Sequence, residues 1–222
     1  MNLRVIHISD THGKFPKLFG KFSCVIHSGD FFPDFFCSGN KTQMMAHQLD
    51  WLNQNLENIK IWLQGTPLLF IMGNHDWIHP GLVEQTLNAD GIKAINLHDK
   101  IVSHQEVNFY GFPYVPTING SFNYERAIPE MTMEADKMIQ VLQSTYVDVI
   151  VAHAPLYQVL DLTHGNSHVG NSIMSTALDY KLNTDIIPMY YFCGHIHESH
   201  GISIRNGMLI SNSATSQNII EI

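Results

Sequence analysis

Leu68 to Met72 is an unbroken apolar run that stops on Gly73-Asn74-His75-Asp76. Such a run reads as a strand buried on both faces, as in a parallel sheet covered by helices. The polar residues then stand at the strand's carboxyl end, where open α/β sheets carry their ligand sites. Asn74 offers a neutral amide oxygen, His75 a transferable proton, and Asp76 a carboxylate able to orient that imidazole. The pattern recurs. Leu3 to Ser9 ends on Asp10-Thr11-His12-Gly13, and Ser23 to Ser28 on Gly29-Asp30. Val147 to Ala152 ends on His153, and Met189 to Cys193 on Gly194-His195-Ile196-His197.

The segments between these strands predict the rest. Met44, Met45, Leu49, Trp51, Leu52, Leu56 and Ile59 recur at helical spacing and predict one amphipathic helix over Gln43 to Ile61. Pro80 and Gly91 bracket a helix over Pro80 to Ala89. Further helices are expected over Met131 to Ser144 and Asn171 to Leu182. Ala94 to Leu97, Lys100 to Val102 and Val107 to Tyr110 are short β segments whose brief connections predict antiparallel pairing. Gly111 to Pro129 and Leu156 to Val169 read as long loops, a class that is often functional. Gly201 to Ile222 predicts two or three antiparallel strands with a turn at Asn206-Gly207. The expected architecture is an α/β fold, a four-layer α/β/β/α sandwich of two mixed sheets flanked by helices. No linker or repeat interrupts the sequence, so residues 1–222 read as a single domain.

Apolar residues make up 45% of the 222-residue chain and charged ones only 14%, which excludes a disordered chain. With a formal charge of −8 and no Lys/Arg run, a long nucleic acid is not an expected partner. Two bound divalent cations would reverse that sign locally, so a small anionic substrate fits. Cys24, Cys37 and Cys193 are odd in number and widely spaced, which predicts a reducing compartment and a cytoplasmic location. The early first strand leaves no room for a signal peptide, and no apolar run approaches a membrane span. The sequence leaves the oligomeric state open.

Histidine stands out, with 14 in the chain. Asp10, His12, Asp30, Asn74, His153, His195 and His197 are seven oxygen and nitrogen donors on five strand ends. That mixture suits Mn²⁺, Fe, Zn²⁺, Co²⁺ or Ni²⁺ better than Ca²⁺, and seven donors are enough for two ions. In order, the blocks Asp-x-His, Gly-Asp, Gly-Asn-His-Asp, His and Gly-His-x-His resemble the signature of the calcineurin-like metallophosphoesterases. Tyr110-Gly111-Phe112-Pro113-Tyr114-Val115-Pro116, Gly120-Ser121-Phe122-Asn123 and Ser211-Asn212-Ser213 add a similarity to the metallophosphoesterase-domain-containing (MPPED-like) branch. The resemblance implies one metal on Asp10, His12 and His197, another on Asn74, His153 and His195, and Asp30 as the bridge. It implies that His75 is the acid near the leaving oxygen, backed by Asp76. Some members of the branch lack the first His of the last block; His195 is present, so an active dinuclear site is expected, with Mn²⁺ foremost.

Phosphoprotein phosphatases of that superfamily carry an Arg soon after the bridging Asp. Here Asp30 is followed by Phe31-Phe32-Pro33-Asp34-Phe35-Phe36, and the chain has only Arg4, Arg126 and Arg205. Bidentate gripping of a monoester dianion is therefore scarce, and a diester is favoured. The branch resemblance implies 2′,3′-cyclic nucleotides, with Phe122 or Tyr114 stacking on the base and Asn123 and Asn212 bonding phosphate or sugar. A phosphomonoesterase, a nuclease and an inactive scaffold on the same fold are the rivals.

Other conspicuous residues read as structural. His7 and His27 sit on core strands and predict hydrogen-bonded core histidines. His47, His79, His98, His104 and His164 read as surface, while His168 and His200 flank motif-like loops. The phenylalanines after Asp30 read as packing, and Cys193 as a small buried apolar residue.

Overall fold

The computed structural model describes residues 3–35, 40–181 and 188–222, with the side chain of Lys181 left aside. Phe36, Cys37 and Leu182 lie outside the described residues. In chain order the elements are β1 (Arg4–Ile8), β2 (Cys24–Ser28), α1 (Lys41–Gln54), α2 (Leu56–Leu63), β3 (Leu68–Ile71), α3 (Pro80–Ala89) and β4 (Ala94–Asn96). There follow β5 (Ile101–His104), β6 (Val107–Phe112), β7 (Val115–Pro116), β8 (Glu125–Arg126), α4 (Ile128–Ser144) and β9 (Val149–Ala152). The remainder is α5 (Ser172–Lys181), β10 (Tyr190–Cys193), a short 3₁₀ turn at His197–Ser199, β11 (Gly201–Arg205), β12 (Met208–Asn212) and β13 (Gln217–Glu221).

Two large sheets form. One runs β13-β1-β2-β3-β4, the other β11-β12-β10-β9-β6-β5. β1 to β4 are mutually parallel, as are β12, β10, β9 and β6; the remaining edge strands are antiparallel. Alternation along each strand explains the layering. Val5, Ile26, Leu69, Phe109, Val151 and Phe192 fill the space between the sheets. Ile6, Ile8, Val25 and Phe70 point the other way, onto Leu52, Ile59, Val83 and Leu87 of α1 to α3. Tyr110, Ile150 and Tyr191 pack on Met131, Met138 and Leu142 of α4 and on Met174 and Leu178 of α5. These three apolar layers make the expected α/β/β/α sandwich. No helix among the described residues is long and apolar enough to cross a membrane.

The expected single helix over Gln43 to Ile61 is two helices, broken at Asn55 (φ −111°, ψ 8°). The Asn55 amide donates to the Trp51 carbonyl at 2.8 Å, one of the local bonds by which asparagine competes with a continuing helix. The antiparallel pairing predicted for the three short β segments holds only for β5 and β6. β4 instead pairs in parallel with β3, because α3 makes the crossover between them. The long loop after Gly111 contains the small parallel pair β7 and β8. The hairpin β11–β12 forms as expected, but β13 leaves it and pairs antiparallel with β1 in the other sheet.

His7 is fully buried, with Nδ1 2.8 Å from Ser211 Oγ and Nε2 2.9 Å from Ser28 Oγ. His27 is equally buried, with Nε2 3.0 Å from Thr11 Oγ1 and Nδ1 accepting the Gly29 N–H. Both are core histidines, pushed down to about 3 by burial, against the upward pull of the Asp10 carboxylate. Cys24 and Cys193 are buried free thiols, both pushed up by burial.

Candidate active site

The carboxyl ends of β1, β2, β3, β9 and β10 open on one cleft of about 810 Å³, which His12, Asp30, Asn74, His75, His195 and His197 help to line. Asp10, His12, Asp30 and His195 all have φ between 44° and 70°. Left-handed backbone at such residues costs on the order of 1–3 kcal/mol each and persists only where the surroundings enforce it. Here the Asp10 N–H donates to the Gly29 carbonyl at 2.9 Å and the His12 N–H to the Asp30 carbonyl at 3.0 Å. The loop after β1 is thereby tied to the loop after β2. Two glycines permit the close approach. A Cβ on Gly73 would lie 2.2 Å from Asp30 Oδ1, and one on Gly194 would lie 2.2 Å from Asp10 Oδ2.

The seven donors fall into two sets. Asp10, His12 and His197 bring ligand atoms together, as do Asp30, His153 and His195. Asn74 joins the second set, with Oδ1 2.9 Å from His153 Nε2. Asp30 lies between the sets: its Oδ2 is 3.3 Å from His153 Nε2 and 3.9 Å from His12 Nε2. This donor chemistry fits cations. The Ser28 carbonyl lies 2.8 Å from His153 Nδ1 and calls for a proton there. The neutral ring then presents a lone pair from Nε2 to a carboxylate and an amide oxygen. A metal ion, or a proton, would satisfy these acceptors together. With a proton in that role, burial opposes the charge, yet the carboxylate of Asp30 pushes His153 up to about 9. Burial likewise opposes ionisation of Asp30, but His153 and its neighbours hold it far below the usual carboxylate range. His195 is pushed down to about 4 by burial and by His153, which keeps it neutral and able to ligate.

His75 stands at the side of this cluster. Its N–H donates to Asp30 Oδ1 at 2.8 Å, and its ring Nδ1 lies 2.6 Å from Asp34 Oδ1. Burial lowers its proton affinity, but Asp34 and Asp30 raise it further, for a net upward shift. The expected partner, Asp76, is elsewhere. Its fully buried carboxylate accepts N–H groups from Phe31, Phe32 and Gly73 at 2.8 to 3.2 Å, so it holds the loops and not the imidazole. Burial, with the charge of Asp30, pushes Asp76 up to about 7 against those three donors.

The scan against family models returns the calcineurin-like phosphoesterase family over residues 3–199. The chain belongs to the calcineurin-like phosphoesterases. No curated protein matches it. Among solved structures, TT1561 of Thermus thermophilus is 9% identical with a TM-score of 0.60, over 96% of this chain and 90% of that one. A dimetal phosphatase from Danio rerio is 12% identical with a TM-score of 0.56, over 95% and 86%. At these identities the likeness is one of fold. As a calcineurin-like phosphoesterase the chain is a metal-dependent hydrolase of phosphoesters, and the cleft carries a donor set for divalent ions.

Of the residues expected to touch substrate, Phe122 lines the cleft, its ring centroid 4.7 Å from that of His75. Three others do not. Tyr114 is buried and its hydroxyl donates to Asp99. Asn123 is a brace, donating from its amide to the Asp76 carbonyl and from its backbone to the Asn74 carbonyl. Asn212 is fully buried, donates to the Leu160 and Ile196 carbonyls and accepts the Ala214 N–H. Sequence reasoning missed Asp34 and Glu198 and counted His164 as plain surface. All three line the cleft, as does His200. His168 instead pairs with Asp161 at 2.5 Å. The one local clue to Asp34 was a lone carboxylate among the aromatics after Asp30.

Proposed function

We propose that this phosphoesterase is a dinuclear, manganese-dependent phosphodiesterase of small nucleotide diesters, 2′,3′-cyclic nucleotides among them, within the MPPED-like branch. One observation carries the reading. Among the described residues, no Lys or Arg lines the cleft, while Asp34 and Glu198 do. A phosphomonoester carries close to two negative charges at neutral pH, whereas a diester carries one. A lining of imidazoles and carboxylates, with Asn74, Ile118 and one aromatic ring, supports the single charge and disfavours a phosphoprotein.

A pair of divalent ions, when bound, supplies an ionised water near neutral pH and withdraws charge from the phosphoryl oxygens. Asp10, His12 and His197 would hold one ion, Asn74, His153 and His195 the other, with Asp30 shared. Asp34 holds His75 through Nδ1 and leaves Nε2 for the substrate. As the incoming oxygen bonds to phosphorus, the opposite P–O bond breaks. The departing alkoxide takes the His75 proton, a transfer typically worth ~10²–10⁴-fold. Buried free thiols at Cys24 and Cys193 support a cytoplasmic setting, and residues 1–222 act as one domain with no long nucleic acid as partner.

The test is the Mn²⁺-loaded protein on bis-p-nitrophenyl phosphate and 2′,3′-cyclic AMP against p-nitrophenyl phosphate. Faster turnover of the diesters supports the reading. Faster turnover of the monoester assigns a phosphatase, and no turnover of any of them leaves a scaffold.

A further inference from the structure

Behind His75 lies a second cavity of about 310 Å³, lined by Phe35, Met44, Gln48, Trp77 and Ser121. Asp34, His75 and Phe122 line it too, and the same three residues line the metal-donor cleft. The two spaces are therefore neighbours with His75 between them. We propose that this aromatic lobe is the subsite for the nucleobase of the substrate. The inference rests on the phosphodiesterase reading and deepens it.

The argument is geometric. A leaving oxygen protonated by His75 must lie beside that ring, on the side of the phosphate away from the attacking oxygen. The organic group carried by that oxygen then extends past His75 and Phe122. The space it meets is walled by Phe35, Met44, Trp77 and Phe122, a lining that suits a planar ring. The cleft itself is also lined by His164, Glu198 and His200, with Ile118 its one aliphatic side chain, so it offers no comparable aromatic wall.

The lobe also has few free polar groups. The Gln48 amide donates to the His75 carbonyl at 2.8 Å and its oxygen accepts the Trp77 N–H at 2.7 Å. The Ser121 hydroxyl donates to Asn119. Recognition there is by stacking and not by hydrogen-bond readout, so the identity of the base matters little. The four 2′,3′-cyclic nucleotides should differ in kcat/KM by less than about fivefold.

The experiment compares 2′,3′-cyclic AMP with glycerol 1,2-cyclic phosphate, which keeps the strained ring and lacks a base. Met44 is half-buried on α1, and Met44→Trp fills the lobe without touching a metal donor. It should raise KM for 2′,3′-cyclic AMP about tenfold, the scale of one lost base–aromatic stack, and leave glycerol cyclic phosphate unchanged. Phe35→Ala, which opens the lobe instead, should also weaken only the nucleotide. Calorimetric binding of adenosine 3′-phosphate should weaken in both variants while glycerol phosphate does not. Equal effects on both ligands, or no effect on either, overturn the subsite. If the wild type hydrolyses neither these cyclic phosphates nor bis-p-nitrophenyl phosphate, the phosphodiesterase reading fails, and calorimetry still decides the lobe.

Discussion

His75 Nδ1 lies 2.6 Å from Asp34 Oδ1, and the other oxygen of that carboxylate lies 3.3 Å from His12 Nδ1. One half-exposed side chain thus holds the proposed acid and lies beside a proposed metal donor. Removing such an outer partner typically costs 10–100-fold.

Asp34→Asn should therefore lower kcat on 2′,3′-cyclic AMP by about 10–100-fold. The loss should be smaller on bis-p-nitrophenyl phosphate, whose leaving group needs less help from an acid. The pH profile carries the sign. Asp34 raises the proton affinity of His75, so activity that needs the protonated ring is lost as pH rises through that raised value. Without the carboxylate, the alkaline fall should begin at lower pH. Equal losses on both substrates with an unmoved alkaline limb would exclude the acid role.

Asp30 touches both donor sets, so its replacement should affect both ions. Asp30→Asn is expected to cut bound Mn²⁺ from about two per chain to one or fewer, read by mass spectrometry, with activity down at least ~10²-fold. Retention of two ions would break the bridging assignment.

Asn212 serves the backbone, and its variant should report that. Asn212→Ala leaves the Leu160 and Ile196 carbonyls and the Ala214 N–H without their side-chain partner. The expected cost is roughly 1–3 kcal/mol per stranded buried group, measured in urea. KM of the folded variant should stay at the wild-type value; a selective rise in KM would return Asn212 to the pocket.

Acid should destabilise the fold through its core histidines. His7 titrates near 6.5 unfolded but only at about 3 when buried, so between those values the unfolded chain binds the extra proton. The stability from keeping His7 neutral is complete above 6.5 and falls with pH by about 1.4 kcal/mol per unit, down to about 3. His7→Asn should be less stable at pH 7 but lose less on going to pH 4.5, as urea titrations at the two values would show.

The metal donors were legible because each lies within a few residues of a strand's end, so local pattern and chemistry coincide. The partner of His75 was not, because Asp34 is 41 residues away and only the tertiary fold brings it there. Asp76 is the nearer carboxylate in sequence, but its oxygens turn inward to the N–H groups of Phe31, Phe32 and Gly73. The helix break at Asn55 hid within an uninterrupted apolar period. The course of β4 was obscured because a short connection usually means a hairpin. Here the chain crosses between sheets, and a Cβ on Gly111 would meet the Leu97 carbonyl oxygen at 2.4 Å. Asn212 reads as a recognition residue from the resemblance of Ser211-Asn212-Ser213 to the MPPED-like branch, but its side chain is taken up by backbone partners.

β13 lies against β1 at the edge of the sheet that carries Asp10 and Asp30. His7 and Ser213, which meet near that junction, are 206 residues apart in the chain. At a translation rate of about 5–20 residues per second, the first strand emerges from the ribosome roughly 10–40 s before its outer neighbour exists. Throughout that interval it presents a bare hydrogen-bonding margin, open to any other extended segment nearby. A nascent polypeptide of this topology relies on being shielded, or kept dilute, until β13 arrives.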